Sequence, residues 1–359
     1  MARKIRVLVV DDSALMRQMV SRILRDAGFE VVGTARDGQQ ALEAAERLKP
    51  DVITLDVEMP VMDGLTMLRR LMQENPLPVV MLSSLTTQQA PATIEALALG
   101  AVDVVAKPGG AISLNIDEVA EELISKVRVA ATARVRPLED ARPRRAPSVR
   151  STSPHPARTK RQLTRQLVIV GSSTGGPKAL VELVSSLPGD FGAPVVIVQH
   201  MPAGFTASLA ARLDKNSSLD VAEAKEGVIP KAGEVWVAPG GFHLRFDKRG
   251  RMKFDSSEPH LGVRPAVDLT MESAVDVWGS GVIGVVLTGM GMDGARGARR
   301  IKQAGGIVFA QDEASCVVFG MPRAVIEMGQ ADQVVPLSEM AELLEQTVRR
   351  RAQLHSTTG

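Results

Sequence analysis

The sequence contains no tyrosine, a single cysteine and only 3% aromatic residues. Without Tyr there is no phenol to act as acid, base or nucleophile. With Cys316 alone, an intrachain disulfide and a cysteine-cluster metal site are both excluded. Packing must be aliphatic. No run of 18 consecutive apolar residues occurs, so no membrane insertion is expected. Met1-Ala2-Arg3-Lys4 leads straight into a strand-like run without the apolar stretch of a signal peptide. These absences predict a soluble, cytoplasmic protein of a reducing compartment.

What is present suits two domains: 359 residues, 45% of them apolar. The net charge of +2 conceals an uneven distribution, because residues 134–165 carry ten Lys/Arg against two acids. Within that stretch periodicity vanishes and Pro137, Pro143, Pro147, Pro154 and Pro156 fall among Arg, Ser and Ala. The composition predicts a solvated linker. No interleaved aromatics and no downstream helix-turn-helix pattern accompany the basic run, so no nucleic-acid partner is expected. Residues 1–130 and 165–353 then form the domains, with 131–164 between them.

In the first domain, the apolar run 5–10 ends in Asp11-Asp12-Ser13 and a helical pattern follows to Ala27. Short β-rich runs at 30–35, 51–56, 78–82 and 102–105 alternate with helical stretches at 38–48, 64–74, 87–99 and 116–130. Such alternation predicts a doubly wound parallel sheet, whose ligands sit beyond the carboxyl ends of the strands. Those ends carry Asp11 and Asp12, Asp56, Ser83 and Lys107. Converging carboxylates repel unless a hard cation neutralises them, and oxygen donors suit Mg²⁺. A lysine and a hydroxyl beside them suit an incoming phosphoryl group.

Asp11-Asp12-Ser13, the segment from Leu55-Asp56 to Asp63-Gly64, Ser83-Ser84 and Lys107-Pro108 together resemble the receiver domain of two-component response regulators over about residues 4–128. The resemblance implies a flavodoxin-like five-stranded parallel sheet and phosphorylation of Asp56 by a histidine kinase. It also implies Mg²⁺ held by Asp12, Asp56 and the Glu58 carbonyl, with Asp11 acting through water and with Lys107 and Ser83 on the phosphoryl oxygens. Receivers usually carry Tyr or Phe three residues before the lysine; this chain has Val104 and lacks the ring that rotamer switching would use.

In the second domain, the apolar strand ending at Val170 enters Gly171-Ser172-Ser173-Thr174-Gly175-Gly176, and Pro177 suits the first helical turn. Gly171-x-Ser173-x-Gly175 fits a nucleophile elbow. The same turn fits a phosphate cradle or a purely structural bend. A second buried strand, from Pro194, ends in Gln199-His200, and a third, 281–287, leads into Thr288-Gly289-Met290-Gly291-Met292-Asp293-Gly294. Weaker strands at 235–238, 242–246 and 251–254 predict a β-hairpin addition to a Rossmann-like doubly wound sheet. A dinucleotide site would place an acid at the end of the next strand, where Gln199-His200 stand instead.

Ser173, His200 and Asp293 therefore fall at or just beyond the carboxyl ends of three parallel strands. A serine hydroxyl becomes a nucleophile when a neutral imidazole takes its proton and a buried carboxylate orients that imidazole. His155 and His355 lie in the linker and tail, His243 in a hairpin strand reads as structural, and His260 sits in a loop able to line a cleft. Gly289, Gly291 and Gly294 permit close backbone approach, so nearby N–H groups can receive an oxyanion. Gly175 and Gly176 read as clearing space for a carbonyl substrate. The order Ser…His…Asp differs from those of α/β-hydrolases, chymotrypsin-like and subtilisin-like enzymes.

The 171–176, 199–202 and 287–294 motifs, with Gln311-Asp312-Glu313-Ala314-Ser315-Cys316, resemble the catalytic domain of the chemotaxis protein-glutamate methylesterases over roughly residues 166–350. The resemblance implies Ser173 as nucleophile, His200 as general acid/base and Asp293 as its orienting partner. Thr174 and the Met290 N–H would support the oxyanion or the histidine. It further implies chemoreceptor helices as substrate, deamidation of receptor glutamines at the same site, and an esterase that needs no cofactor. The family commonly has Ser where Ala266 stands. The competing reading is a response regulator whose C-terminal domain only binds. A flexible linker between a switch and an enzyme also predicts that the unphosphorylated receiver covers the Ser173 face.

Overall fold

The computed structural model describes residues 3–84, 89–107, 116–135 and 165–356. Most of the basic segment, and Pro108, lie outside the described residues. The first domain alternates β1 (Arg6–Val10), α1 (Ala14–Asp26), β2 (Glu30–Ala35), α2 (Gly38–Leu48), β3 (Val52–Asp56), α3 (Gly64–Glu74), β4 (Val79–Ser83), α4 (Ala90–Leu99), β5 (Asp103–Ala106) and α5 (Ile116–Ala130). The strands pair in parallel in the order β2-β1-β3-β4-β5.

Alternate side chains of β1 serve opposite layers, as the two-residue strand period requires. Val7 and Val9 pack with Leu24, Leu123 and Val127, whereas Leu8 and Val10 pack with Ile53, Met67 and Ile94. Ser13, Asp37 and Asp63 cap α1, α2 and α3 by accepting from the N–H of Met16, Gln40 and Thr66.

The second domain runs β6 (Leu167–Ser172), α6 (Gly176–Ser186), β7 (Val195–Gln199), α7 (Phe205–Lys215), β8 (Asp220–Glu223), β9 (Glu234–Val237), β10 (His243–Phe246), β11 (Met252–Asp255), α8 (Val267–Trp278), β12 (Val282–Val286), α9 (Ala295–Gln303), β13 (Ile307–Gln311), α10 (Met321–Glu327), β14 (Gln333–Val335) and α11 (Leu337–Ser356). Seven strands form one parallel sheet, β14-β13-β12-β6-β7-β9-β8, and β10-β11 form a separate antiparallel hairpin. The chain builds outward from β6 in one direction to β7, β9 and β8 and in the other to β12, β13 and β14. The switch point lies between β6 and β12, the crevice where open α/β sheets hold ligands.

The hairpin occurs where the alternating pattern places it. The strand expected at 235–238 does not join it; as β9 it inserts between β7 and β8. Glu234 opens that strand, and its carboxylate accepts from Lys231 N–H and Trp236 Nε1, so a polar start is accommodated locally.

The domains touch. α4 packs on α6 and α7, and the apolar cluster holding Ile94 and Leu97 continues through Leu180, Leu209 and Leu213. Among the described residues, no helix is long and apolar enough to cross a membrane.

Candidate functional site

Ser173 follows β6, half-buried, with its N–H donating to Thr288 O at 3.0 Å. The reversal into α6 falls on Gly175, at φ +78°, where a Cβ would also stand 2.6 Å from Val317. Ser173 itself is not among the described positive-φ residues, so the strain expected of an elbow lies two residues beyond the serine. Gly289 lets the β12–α9 loop approach: a Cβ there would lie 2.8 Å from Ser173 Cβ. The glycines at 175 and 176 do not clear space for substrate. Val317 takes the first space, and the Gln199 amide takes the second, with Oε1 only 2.0 Å from where a Gly176 Cβ would stand.

His200 follows β7, and its N–H donates to Ser172 O at 3.0 Å. Its Nε2 lies 2.8 Å from Asp293 Oδ2. Donation from Nε2 to the carboxylate fixes the tautomer and leaves Nδ1 able to take a proton. Asp293 is 3% exposed, and both of its oxygens accept backbone donors: Val267 N–H on Oδ2, Asp268 N–H and Gly294 N–H on Oδ1.

The supports are reciprocal. Asp293, just ahead of α9, accepts the first N–H groups of α8. Asp268, in the first turn of α8, accepts Gly294 N–H at 2.9 Å and Gly297 N–H at 2.7 Å at the start of α9. Two positive helix ends thus converge on two carboxylates. Ala266 precedes α8 without a side-chain cap, and Asp293 supplies the missing acceptor.

Burial acts to raise the Asp293 pKa, but the His200 hydrogen bond and charge, with the Asp268 and Val267 N–H groups, outweigh it and hold the carboxyl below its ordinary range. Its contribution to stability is therefore complete above the unfolded carboxyl value and is lost as pH falls through the lowered folded one. For Asp268, burial and then the neighbouring Asp293 charge dominate and push it up, against Gly297 N–H, His260 and Arg296. His260 Nε2 stands 3.1 Å from Asp268 Oδ2, behind Asp293. His243 is fully buried with Nε2 at 3.0 Å from Glu258 O, a structural role. Burial, with repulsion from Asp312, pushes the Cys316 thiol up to about 12, so it is not a nucleophile at neutral pH.

The first domain assembles a second cluster at its own switch point. Oxygens of Asp11, Asp12 and Asp56 lie within 4.8 Å of one another, the first and last buried and Asp12 exposed. Lys107 Nζ lies 2.8 Å from Asp11 Oδ2 and 2.7 Å from Asp56 Oδ2. One ammonium against three carboxylates leaves an anionic, all-oxygen pocket that fits a hard divalent cation. Burial leads in raising the Asp56 pKa, opposed by Lys107 and assisted by Asp11. Gly64 packs beneath Asp56, where a Cβ would lie 2.0 Å from Asp56 O. Ser83 is buried at the end of β4 with its hydroxyl 2.7 Å from that of Thr93 on α4. The Glu58 side chain is exposed just beyond β3.

The two domains share the space in front of Ser173. A cavity of about 680 Å³ is lined by Ser173, Thr174, His200, Met290 and Asp293 on one side and by Asp103, Glu122 and Lys126 on the other. Thr174 donates its hydroxyl to Asp103 Oδ2, and Gly175 N–H donates to Val102 O at 3.1 Å. The half-buried Lys126 ammonium pairs with Asp103 at 3.1 Å and Glu122 at 2.7 Å and donates to Val104 O. Ser125 Oγ lies 3.8 Å from Met290 Sδ. Met290 is 45% exposed, and among the described residues its N–H has no protein acceptor. The interdomain roles of Asp103 and Lys126 carried no motif in the sequence. Gln199 was visible only as a polar residue at a strand end.

Comparison with known proteins agrees with this arrangement. The family model described as CheB methylesterase matches residues 168–344, and that of the response regulator receiver domain matches residues 7–115. A protein-glutamate methylesterase/protein-glutamine glutaminase of Symbiobacterium thermophilum is 51% identical over 354 residues, covering 96% of this chain and 98% of the relative. One from Archaeoglobus fulgidus is 48% identical over 342 residues, covering 94% and 96%. The crystal structure of the Thermotoga maritima CheB methylesterase catalytic domain covers 52% of this chain and all of that one, at 48% identity and a TM-score of 0.50.

Proposed function

Because the chain belongs to the CheB methylesterase family, with a response-regulator receiver joined to the esterase, we propose that Ser173, His200 and Asp293 are its catalytic triad and Asp56 its phosphorylation site. The enzyme is a protein-glutamate methylesterase/protein-glutamine glutaminase of chemotactic adaptation. Residues 1–130 are assigned to the receiver, 131–164 to the linker and 165–353 to the esterase. Its substrate is a chemoreceptor's cytoplasmic helices, its phosphodonor is a histidine kinase, and it works in the cytoplasm without nucleic acid or membrane insertion.

One observation carries the catalytic reading: a half-buried serine shares a cavity with an imidazole whose other nitrogen is held by an ionised, four-donor carboxylate. Ser173 Oγ attacks the γ-carbonyl carbon of a glutamyl methyl ester while Nδ1 of His200 takes the hydroxyl proton. The oxyanion is received by the Met290 N–H, with Thr174 beside it. Collapse breaks the C–OCH₃ bond, and His200 returns the proton to methanol. Water, deprotonated by His200, then releases Ser173 and the glutamate carboxylate. For a glutamine side chain the same steps expel ammonia. A serine-directed acylating probe is expected to label Ser173 stoichiometrically; an unlabelled Ser173 in protein that releases methanol would exclude the assignment.

In the receiver, Asp12, Asp56 and the Glu58 carbonyl are assigned to Mg²⁺, with Asp11 through water; Ser83 and Lys107 are assigned to the phosphoryl oxygens. The bound ion supplies charge neutralisation at the acceptor carboxylate. Lys107 bridges Asp11 and Asp56 at one end of β5, and Asp103 grips Thr174 at the other. Phosphorylation recruits Lys107 and Ser83, which draws on β5 and on the Ser83–Thr93 contact with α4, both parts of the face against the esterase.

The unphosphorylated receiver therefore restrains the enzyme. A hydrogen bond to a charged acceptor is worth about 1.5–3 kcal/mol, so Asp103→Ala shifts the closed-to-open balance roughly tenfold or more. Methanol release by the full-length Asp103→Ala protein, without phosphodonor, is expected to rise toward the phosphodonor-stimulated rate of the parent. An unchanged basal rate would show that this contact does not hold the receiver in place.

A further inference from the structure

The end of β7 holds a side chain the mechanism has not used. Gln199 is 2% exposed, and both polar atoms of its amide are engaged. Oε1 accepts the Ser172 hydroxyl at 2.7 Å. Nε2 donates to Ser173 O at 2.9 Å and to His200 O at 3.0 Å. The nucleophile and the base stand on neighbouring strands, and one NH₂ group holds the carbonyls of both. The strands meet here in register, Ser172 opposite Gln199. A Cβ at Gly176 would lie 2.9 Å from Ser172 Oγ as well as 2.0 Å from Gln199 Oε1, so the glycine that opens α6 exists to admit this network.

We propose that Gln199 is the positioning residue of the active site, fixing the Ser173 backbone to that of His200 so that hydroxyl and imidazole keep their attack geometry. The proposal rests on the triad reading above. Its chemistry is specific to a carboxamide. Two donors at one atom satisfy two converging carbonyl oxygens, and the amide oxygen takes the Ser172 hydroxyl. Glutamate of the same length would turn a carboxylate oxygen against those two carbonyls, and methionine would fill the space with no hydrogen bond. None of the contacts made by the Gln199 amide is to Ser173 Oγ or the His200 ring, so its effect is on geometry and not on proton transfer itself. Gln199 does not line the cavity, whose other walls include Met290, Leu261 and Arg264. Loss of positioning must therefore fall on kcat and leave KM alone, and a misplacement near 1 Å costs about 100-fold.

The test uses full-length Gln199→Met, Gln199→Glu and Ser172→Ala proteins with saturating phosphodonor. Rates of methanol release from methylated receptor membranes are divided by the Ser173 sites titrated with a fluorophosphonate. Expected are a roughly 100-fold fall in kcat per titrated site for both Gln199 variants at unchanged KM, and a fall of only a few-fold for Ser172→Ala, which keeps both Nε2 bonds. The double variant Ser172→Ala/Gln199→Met should be no slower than Gln199→Met, because the two act through one network. A merely structural role would reduce the number of titratable sites and the melting temperature while kcat per site stayed at the parent value; that outcome overturns the proposal. Additive losses in the double variant would also overturn it. Failure of the triad is read separately, as an absence of Ser173 labelling in the parent protein.

Discussion

Ser173→Ala is expected to lower kcat for methanol release by about 10⁶-fold, the cost of removing the nucleophile from a serine hydrolase triad. The size follows from the lack of any substitute. Ser172 is fully buried with its hydroxyl given to Gln199. Thr174 gives its hydroxyl to Asp103, and the one thiol, Cys316, is buried and protonated. What survives is whatever the oxyanion donors do for attack by water. The substitution removes no cap and opens no core cavity, so stability should stay within about 0.5 kcal/mol of the parent. Phosphorylation of Asp56 should proceed unchanged, since it depends on a cluster at a different sheet. The check is paired: methanol release with phosphodonor in excess, and phosphate incorporation into the same preparation. Activity within tenfold of the parent would remove Ser173 from the mechanism.

Removing the receiver's grip acts on the same hydroxyl environment by another route. Thr174 is adjacent to Ser173, and Val102 O caps the Gly175 N–H at the start of α6. In the proposed mechanism negative charge develops on this face, where the receiver occupies both donors. Opening restores them at no cost to the triad, whose contacts all lie within the esterase domain. Control and chemistry are therefore expected to separate, with Asp103→Ala raising activity and Ser173→Ala removing nearly all of it.

Much of the fold was legible because its strands are buried on both faces. Runs such as those of β1, β6, β7 and β12 stand out as continuous apolar blocks, and a parallel sheet placed their ends, with Asp11, Asp56, Ser173 and His200, on its ligand-binding edges. Legibility failed at the sheet's margins. β8 is flanked by Asp220 and Glu223, and β14 is a three-residue strand with no buried position, so neither presents an apolar block. β9 was grouped with the hairpin because its neighbours in sequence are hairpin strands, whereas its pairing partners, β7 and β8, lie earlier in the chain. Motifs marked Ser173, His200 and Asp293 as the proposed triad but gave no sign of the residues that support them. The exchange of caps between Asp268 and Asp293, 25 residues apart, joins two helix starts, and no local pattern encodes it. The glycines at 175 and 176 signalled a close approach correctly, but what approaches is Val317 and Gln199 and not the substrate.

Asp293→Asn is expected to lower kcat by about 10⁴-fold with KM unchanged, and unlike Ser173→Ala it should also destabilise the domain. The carboxylate accepts from four donors, two on each oxygen. An amide can turn only one oxygen toward them. Placed on the Oδ1 side, that oxygen keeps the Asp268 and Gly294 N–H groups, and the NH₂ then faces Val267 N–H and His200 Nε2. Donor meets donor, and the imidazole escapes by moving its proton to Nδ1, the nitrogen that must be bare to accept the serine proton. The Val267 N–H, buried at the start of α8, is left unsatisfied, at a cost of about 1–3 kcal/mol. That loss should appear as a lower melting temperature at neutral pH, and it should narrow as pH falls toward the lowered Asp293 pKa, where the parent loses the same contribution. Asp268→Asn separates the two effects. It disturbs the cap on α9 but has no contact with His200, and it removes a like charge beside Asp293. It should lower the melting temperature while keeping kcat within tenfold. Equal kcat losses in the two variants would mean that the carboxylates act only as a structural pair, with no special role for the one that touches the imidazole.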